Sequence, residues 1–423
     1  MLSDPVTIRR DDRARSLLAI AVLGYIMLFV YWTNRQQDAI GTQAFDLGIY
    51  DQGVWLLSHL KSPFVTINGR QLFGDHTTFI LIPFAVVYRV IDSAKVLLTV
   101  QSVALGLGAI PAFLIAREKL GNEAQAAALS VVYLLHPVLG WTNLEHFHPD
   151  ALEIPLVLLT MYFVVKERWI RYFVCVALLL LTKEDVALLT LALGVYVALK
   201  HNRRVGQITA AVSGVYLILA FWWILPAFNG VGTVYGGRVP FGGPGGFLRR
   251  LLTHPGEVVA YVLARKRFFY LWQLFLPVAF AAWLAPSVLL IASAPLAVNM
   301  IASFGYQYDI HFHYSTLILP MIIVATIFGI ARFTDDVLRR LAVGAVVVAS
   351  VVTAFLWGPT PLWKGHPFIA DPNSELVASF RQAERHLPKD AIVSAYYGWI
   401  PQISHREEVY MFPNPWKASY WGT

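Results

Sequence analysis

The chain consists mainly of long apolar runs separated by short polar connections. A helix of about 20 apolar residues crosses the hydrocarbon core of a bilayer, and somewhat fewer suffice where neighbouring helices shield it. By this measure the sequence predicts about eleven transmembrane helices. They cover residues 17–33, 95–116, 122–140, 150–165, 169–183, 185–200, 206–226, 268–287, 288–304, 314–331 and 341–357.

Shorter elements are predicted outside these spans. The run 78–91 is interrupted by Pro83 and Arg89 and is too short to cross, which indicates an interfacial helix with its apolar face among the lipid headgroups. A second external helix is predicted over 45–60. After Trp357 the composition changes, and we expect an amphipathic helix over 374–386 and strands over 391–395 and 409–412. The predicted fold class is an all-α polytopic membrane protein with external interfacial helices and a small C-terminal α/β segment.

Composition excludes a soluble domain. Hydrophobic residues make up 57% of the 423 residues and charged residues only 14%, far from the shares of a soluble protein. The net charge of +7 comes with Lys and Arg in short loops between apolar runs, so it indicates orientation rather than nucleic-acid binding. The single cysteine, Cys175, excludes disulfides and cysteine-ligated metal clusters within the chain.

The basic residues predict how the chain is oriented. Arg9, Arg10, Arg13 and Arg15 precede the first span, and further basic residues recur in alternate connections. Because cytoplasmic loops carry the excess of Lys and Arg, the N-terminus is expected in the cytoplasm and the C-terminus outside the plasma membrane. The expected organisation is a transmembrane domain over 1–358, with external loops at 34–94 and 227–267, followed by an extracytoplasmic segment over 359–423.

Placing an ionisable residue within the membrane or at its edge costs free energy, so the positions of such residues indicate function. In this topology they gather on the outer face from segments that are distant in sequence, which predicts a site there. They are Asp46, Asp51, Asp75, His76, Glu145, His146, His148, Asp150, Lys183, Glu184, Asp185, Asp309, His311 and His313.

Asp46 and Asp51 are the candidate acids of the first external loop. If 45–60 is helical, five residues turn the two side chains about 140° apart, so only one can enter a given pocket. We favour Asp46 as the catalytic residue because it directly follows the first span, and Asp51 is the second candidate acid. The alternative for Asp46 is a first-turn acid that stabilises the helix dipole.

Two His-x-His motifs stand at the outer ends of different spans, His146 with His148 and His311 with His313. Residues two apart face the same way in extended backbone, so each pair can present two imidazoles together. With Asp150 nearby, these side chains are candidate ligands of a divalent metal ion. Contact with a phosphate or sugar, and purely structural histidines, remain open as alternatives.

The sequence Lys183-Glu184-Asp185 interrupts two apolar runs at an outward turn. An ammonium group there can neutralise a lipid phosphate as a point charge. The alternative is a charged turn between two short helices.

Several motifs resemble those of a family of bacterial and archaeal multi-pass membrane proteins, and the resemblance covers nearly the whole chain. That family looks in turn like the GT-C type of glycosyltransferase. The matching stretches are residues 45–52 (FDLGIYDQ), Gly74 to His76, Gln101 with the apolar run that follows it, Phe147 to Pro149, Leu181 to Asp185, and His313 to Ser315 ahead of Pro320.

The resemblance implies a transferase that moves a sugar from a polyprenyl phosphate donor to an extracytoplasmic glycan, lipid or protein. It implies an acid of the first external loop as the base, here Asp46. Lys183, Glu184, His313 and Tyr314, with His76 and His148, are the expected partners of the donor and its phosphate. A phosphate leaving group needs cationic or metal stabilisation rather than a general acid, so one carboxylate is enough.

Two other classes of function remain open from the sequence. A transporter or flippase of a lipid-linked or anionic solute would commonly show repeated halves with a site at mid-bilayer, and no internal repeat is visible here. A non-catalytic membrane scaffold would use the C-terminal segment as its binding surface. The substitution Asp46→Asn separates these hypotheses, since it should abolish transfer and leave a scaffold unaffected.

Overall fold

The computed structural model describes residues 11–231, 235–365 and 371–422. Arg9 and Arg10, on which the predicted orientation partly rests, lie outside these residues.

The first third of the chain contains eight α-helices and one β-hairpin within the described residues. The hairpin is antiparallel and pairs Phe64 with Gln71 and Val65 with Arg70. The elements are α1 (Asp12–Asp38), α2 (Ile49–Ser58), β1 (Phe64–Val65), β2 (Arg70–Gln71), α3 (Leu72–Asp75), α4 (Ile82–Tyr88), α5 (Lys95–Leu107), α6 (Ala109–Leu120), α7 (Glu123–Leu135) and α8 (Pro137–Leu144).

The rest of the described chain is also mainly helical and ends in a two-stranded parallel sheet. Its elements are α9 (Glu153–Val165), α10 (Trp169–Leu180), α11 (Val186–Lys200), α12 (Arg203–Leu219), α13 (Leu225–Asn229), α14 (Gly243–Thr253), α15 (Pro255–Val262), α16 (Arg265–Phe275), α17 (Pro286–Leu289), α18 (Ser293–Ile301), α19 (Leu319–Ile330), α20 (Asp336–Trp357), α21 (Glu375–Arg385), β3 (Val393–Ala395), α22 (Ile400–Ile403) and β4 (Val409–Met411).

Helix starts follow local capping chemistry. Asp11, Asn122 and Asn202 each accept a hydrogen bond from a backbone N–H of the first turn of α1, α7 and α12. Such caps satisfy donors that the helix itself leaves unpaired. α11 and α12 pack closely because Gly206 has no side chain, and a Cβ there would overlap the backbone of Ala198.

The helices confirm a multi-pass membrane protein. In the described residues, five are long and apolar enough to cross a membrane, and the pair α7 and α8, bent by 46°, would be a sixth. Three further predicted spans coincide with shorter apolar helices, Trp169–Leu180, Val186–Lys200 and Pro286–Ile301. The count of eleven stays a prediction. The five long helices are Asp12–Asp38, Lys95–Leu120, Arg203–Asn229, His313–Ile330 and Asp336–Trp357.

One predicted span was wrong as a continuous helix. The run 268–287 is apolar, but α16 ends at Phe275 and short 3-10 turns follow. Ala279 and Phe280 take φ angles of 49° and 57°, which a helix does not contain. Pro277 and Pro286 cannot donate helical hydrogen bonds, which explains the break.

The helix bundle is arranged around α19. The apolar segment His313–Ile330, which contains α19, is 89% buried, against 28% for α1 and α20 and 22% for the helix that contains α12. The outer helices keep large apolar side chains such as Leu17, Ile208 and Leu341 exposed. These helices therefore face lipid, and α19 forms the centre of the bundle.

A second hydrophobic core joins the first external loop to the C-terminal segment. Leu47, Val54 and Ile67 of the loop pack in one cluster with Ile400 and Val409. Polar contacts reinforce this packing: the Thr66 hydroxyl lies 2.8 Å from the Val409 carbonyl oxygen and 2.9 Å from its backbone nitrogen. We call this cluster the loop–tail core.

Candidate active site

Asp46 occupies a strained turn at one end of the bundle. Residues Ala44–Gly48 form a wide π-type turn before α2, and Asp46 within it has φ 68° and ψ −95°. A non-glycine residue in such a region costs about 1–3 kcal/mol and persists only where the surroundings enforce it. Asp46 lies in the first turn of this π-type segment, and no side-chain hydrogen bond from it caps α2. Its side chain is 34% exposed while its neighbours Leu47 and Gly48 are buried.

The histidine nearest to Asp46 is His148. Its Nε2 lies 3.0 Å from Oδ1 of Asp46, although the two groups are not aligned as a hydrogen bond and neither ring nitrogen has a hydrogen-bond partner in the described chain. The His148 side chain is only 2% exposed. A buried ring nitrogen without a hydrogen-bond partner marks a position where a ligand can bind.

The turn that carries His148 is held by a single buried amide. Gln101 of α5 donates from Nε2 to the carbonyl oxygens of His146, at 2.6 Å, and Asn143, at 3.2 Å. Its Oε1 accepts from the His148 backbone N–H at 2.9 Å. The glutamine satisfies backbone groups that the non-helical turn leaves unpaired, which places His148 over Asp46.

His313 and Glu145 complete the cluster. The rings of His148 and His313 stack with centroids 3.7 Å apart and planes 27° apart. Glu145 accepts a hydrogen bond from the His313 backbone N–H, and its Oε2 lies 3.2 Å from the ring Nδ1. Three segments that are distant in sequence therefore meet: the turn before α2, the turn after α8 and the 3-10 turn before α19.

The two carboxyl groups of the cluster have opposite pKa shifts. Burial favours the neutral form of Asp46, but the neighbouring histidines, His148 first and then His313 and His146, outweigh it and lower the pKa to about 2. Burial, together with the charge of Asp46, raises the pKa of Glu145 well above its usual value. The surroundings therefore favour the ionised form of Asp46 and the protonated form of Glu145, and such opposite pKa shifts are typical of functional carboxyl pairs.

The candidate metal ligands are not the set predicted from sequence. Ligand atoms of Glu145, His148 and His313 lie within 4.8 Å of one another, and two imidazoles with a carboxylate suit zinc or manganese. The orientation of the two histidine rings suits a shared metal ion less well, because imidazole binds a metal in its ring plane and these two rings are stacked. In the described residues, His311 lies outside the cluster, where it is exposed and contacts Asp309 at 2.6 Å.

Two further predicted ligands also have other surroundings. Asp150 is paired with Lys183. His146 is buried with its Nδ1 unpartnered, and burial lowers its pKa to about 4. Of the five predicted candidate ligands, the structure brings His148 and His313 together, and Glu145, which was not in the predicted set, lies with them.

Lys183 lies in a buried ion pair beside this cluster. Its Nζ is 2.8 Å from Oδ1 of Asp150 and 4.0 Å from Oδ2 of Asp185. A cavity of about 40 Å³ separates this group from Tyr314. Since Asp150 already neutralises Lys183, the ammonium is not free to meet a phosphate in this conformation.

His76 and Glu184 form a second ion pair. Nδ1 of His76 lies 2.8 Å from Glu184, which also accepts the backbone N–H of Thr77 at 3.1 Å. Burial opposes protonation of His76, but the Glu184 charge prevails and raises its pKa. The Tyr235 ring stacks on His76 at 5.0 Å, and its hydroxyl donates to Asp75 at 2.8 Å. These contacts join the first external loop to the turn between α10 and α11.

Arg238 is a cation at the cluster that the sequence did not single out. Its guanidinium lies 4.3 Å from the ring centroids of both Tyr235 and Phe304, and its Nη1 is 3.4 Å from the Tyr314 hydroxyl. The Tyr314 ring in turn lies 4.2 Å from that of His313. No carboxylate in the part of the chain that the structure describes forms an ion pair with Arg238.

Asp51 contacts residues other than those that surround Asp46. It is fully buried, accepts a hydrogen bond from the Tyr88 hydroxyl at 2.7 Å and lies 3.0 Å from Nε2 of His405. Ser404 also donates to it. Asp51 therefore fastens the C-terminal segment to α2, and the structure does not bring it into the Asp46 cluster.

With this geometry in place, the chain can be compared with known proteins. Residues 38–420 match the family described as "Predicted membrane protein (DUF2079)". The chain belongs to the DUF2079 family. No curated protein sequence matches it.

The fold of this DUF2079 protein is similar to that of a solved structure, ArnT from Cupriavidus metallidurans bound to undecaprenyl phosphate. The two chains align with a TM-score of 0.51 and 13% sequence identity, over 92% of this chain and 86% of that one. At this identity the likeness shows a common fold, which confirms the GT-C-like architecture expected from the sequence motifs.

Proposed function

We propose that this protein is a membrane glycosyltransferase that moves a sugar from a polyprenyl phosphate donor to an acceptor at the outer face of the membrane. The observation that supports this most directly is the ionised, partly exposed carboxylate of Asp46, held in a strained turn beside the buried His148 and His313. The GT-C-like fold supports the same proposal, because the similar protein ArnT binds undecaprenyl phosphate.

In the proposed reaction, a hydroxyl oxygen of the acceptor attacks the anomeric carbon while the bond from that carbon to the phosphate oxygen breaks. The bonding electrons leave with the phosphate, and the acceptor proton passes to Asp46. A carboxylate of such low pKa accepts the proton late, once bond formation has made the hydroxyl strongly acidic. One in-line displacement inverts the anomeric centre, which anomeric analysis of the product would test.

We assign the leaving phosphate to Arg238, with His313 and Tyr314 beside it. An arginine without a carboxylate partner can offer a paired set of donors to phosphate oxygens. Lys183 would have to leave Asp150 to do the same. In this proposal Lys183, and the pair His76 with Glu184, shape the wall of the donor site rather than contact the phosphate. The proposed steps involve only residues of this chain, and Glu145, His148 and His313 could hold a metal ion beside them.

The first test is binding of undecaprenyl phosphate to the full chain in lipid nanodiscs. Arg238→Ala should weaken binding by about tenfold or more, the equivalent of one charge-assisted contact. Arg250→Ala is the matched control, since Arg250 lies in the same loop but is paired with Glu257 at 2.8 Å. Equal affinities for the two variants would refute the assignment of Arg238.

The second test is transfer itself. Asp46→Asn should reduce the release of free polyprenyl phosphate from a labelled polyprenyl phospho-sugar by about 10²- to 10⁴-fold, the usual contribution of a general base. It should leave undecaprenyl phosphate binding intact. Full transfer by Asp46→Asn would remove the catalytic role of this residue.

A further inference from the structure

An open groove of about 630 Å³ lies between the first external loop and the C-terminal strands. It is built mainly from aromatic side chains. Phe45 forms one wall, and the opposite walls come from β3, β4 and the segments that follow them. Its principal lining residues are Phe45, Tyr396, Tyr397, Met411, Phe412 and Tyr420.

The groove is directly continuous with the candidate catalytic turn. Phe45 precedes Asp46 in the chain, and its ring lies 5.8 Å from that of Tyr397. The backbone N–H of Ala44 donates to the Tyr397 carbonyl oxygen at 3.1 Å, and the Tyr397 hydroxyl donates to Gln43 at 3.1 Å. A ligand at the Phe45 and Tyr397 end of the groove would therefore lie next to the turn that carries Asp46.

The lining specifies the chemistry of that ligand. No charged side chain faces the groove in the described chain, so a phosphate or a uronic acid would find no counterion. Tyr396 is 64% exposed, Phe412 66% and Tyr420 77%. Clustered exposed aromatic rings mark a binding surface. Rings with hydroxyl edges suit the flat C–H faces of a pyranose, because the apolar face stacks while the sugar hydroxyls stay in water or meet a tyrosine.

We infer that this groove is the acceptor subsite and binds neutral sugar residues, so that the acceptor is a neutral glycan. The inference rests on the proposed transferase function for its biological meaning. Binding itself does not depend on catalysis, which allows the two to be tested apart.

The experiment is glycan binding by the full chain in lipid nanodiscs, since a sugar-headed detergent would compete for the groove. The probes are arrayed neutral oligosaccharides of gluco, manno, galacto and rhamno configuration, with uronic acid oligomers beside them. We expect binding to at least one neutral series and none to the uronates. The double variant Tyr396→Ala/Phe412→Ala should lose at least about tenfold in affinity.

Phe64→Ala is the matched control, because Phe64 is a partly exposed aromatic residue of β1 that does not line the groove. It should bind glycans like the wild type. Absence of neutral-glycan binding, a preference for uronates, or wild-type affinity in the double variant would each overturn the inference. Binding of acyl chains or self-association through the groove would also overturn it, in favour of a lipid or a second copy as occupant.

The outcomes separate the two proposals. If the double variant loses glycan binding but Asp46→Asn retains transfer, the catalytic role of Asp46 is wrong and the groove remains the glycan-binding site. If Asp46→Asn loses transfer but the double variant binds normally, the transferase stands and the acceptor subsite lies elsewhere.

Discussion

Nε2 of His148 lies 3.0 Å from Oδ1 of Asp46, although the two residues come from the turn after α8 and the turn before α2. The contact brings an imidazole with no other partner against an ionised carboxylate. It is the largest of the histidine contributions that lower the pKa of Asp46 despite burial, and His313 and His146 act in the same direction.

Removing His148 should therefore raise the pKa of Asp46 from about 2, because burial would then act with less opposition. Infrared difference spectroscopy of the Asp46 carboxylate, with Asp46→Asn as the reference, measures this titration in the wild type and in His148→Ala. The pKa of Asp46 is lower in the folded protein than in the unfolded chain. The ionised carboxylate therefore stabilises the folded state at pH values above its pKa in the unfolded chain. This contribution disappears as pH falls through about 2. An unchanged titration in His148→Ala would contradict this explanation.

Gln101→Leu should destabilise the protein by about 2–4 kcal/mol, because it leaves the buried backbone groups of His146 and His148 without partners. Thermal unfolding in nanodiscs measures the change. The matched control is Gln125→Leu, since Gln125 is a buried glutamine whose Oε1 has no hydrogen-bond partner in the described chain. Equal losses for the two variants would mean that Gln101 acts only through its volume.

Asp51→Ala should release the C-terminal segment from α2, because Tyr88, Ser404 and His405 all lose a buried acceptor. Hydrogen exchange over residues 400–411 should rise, while exchange in α19 should not change. Asp92→Ala is the control, since Asp92 is largely exposed and contacts only His405 in this network. Unchanged exchange in Asp51→Ala would show that apolar packing of the loop–tail core alone retains the segment.

Lys183→Met should destabilise the protein by about 3–5 kcal/mol, because it leaves Asp150 buried without its cation. The double variant Lys183→Met/Asp150→Asn should recover much of this loss, as no unpaired charge remains. If Lys183 only shapes the wall of the donor site and does not contact the phosphate, the double variant should also bind undecaprenyl phosphate like the wild type. If the double variant recovers its stability but loses binding of undecaprenyl phosphate, Lys183 contacts the phosphate and the assignment to the wall is wrong.

Much of the architecture follows from local patterns. The short helices before α5, the amphipathic α21 and the strands β3 and β4 all lie where the sequence pattern predicted them. The break after Phe275 was missed, because an apolar run does not reveal two left-handed residues between prolines. Gln101 carried a usable signal, since an amide within an apolar helix seldom lacks a function.

The sequence by itself determined that this is a multi-pass membrane protein and which polar residues stand at the ends of its apolar runs, because both depend on local composition. Only the tertiary structure decided their partners. It placed Asp46 against His148, Lys183 against Asp150 and Asp51 against His405. It also left Arg238 without a carboxylate partner in the described chain. The physical reason is that an ionic contact acts over a few ångströms between segments far apart in sequence, and no local pattern encodes that distance.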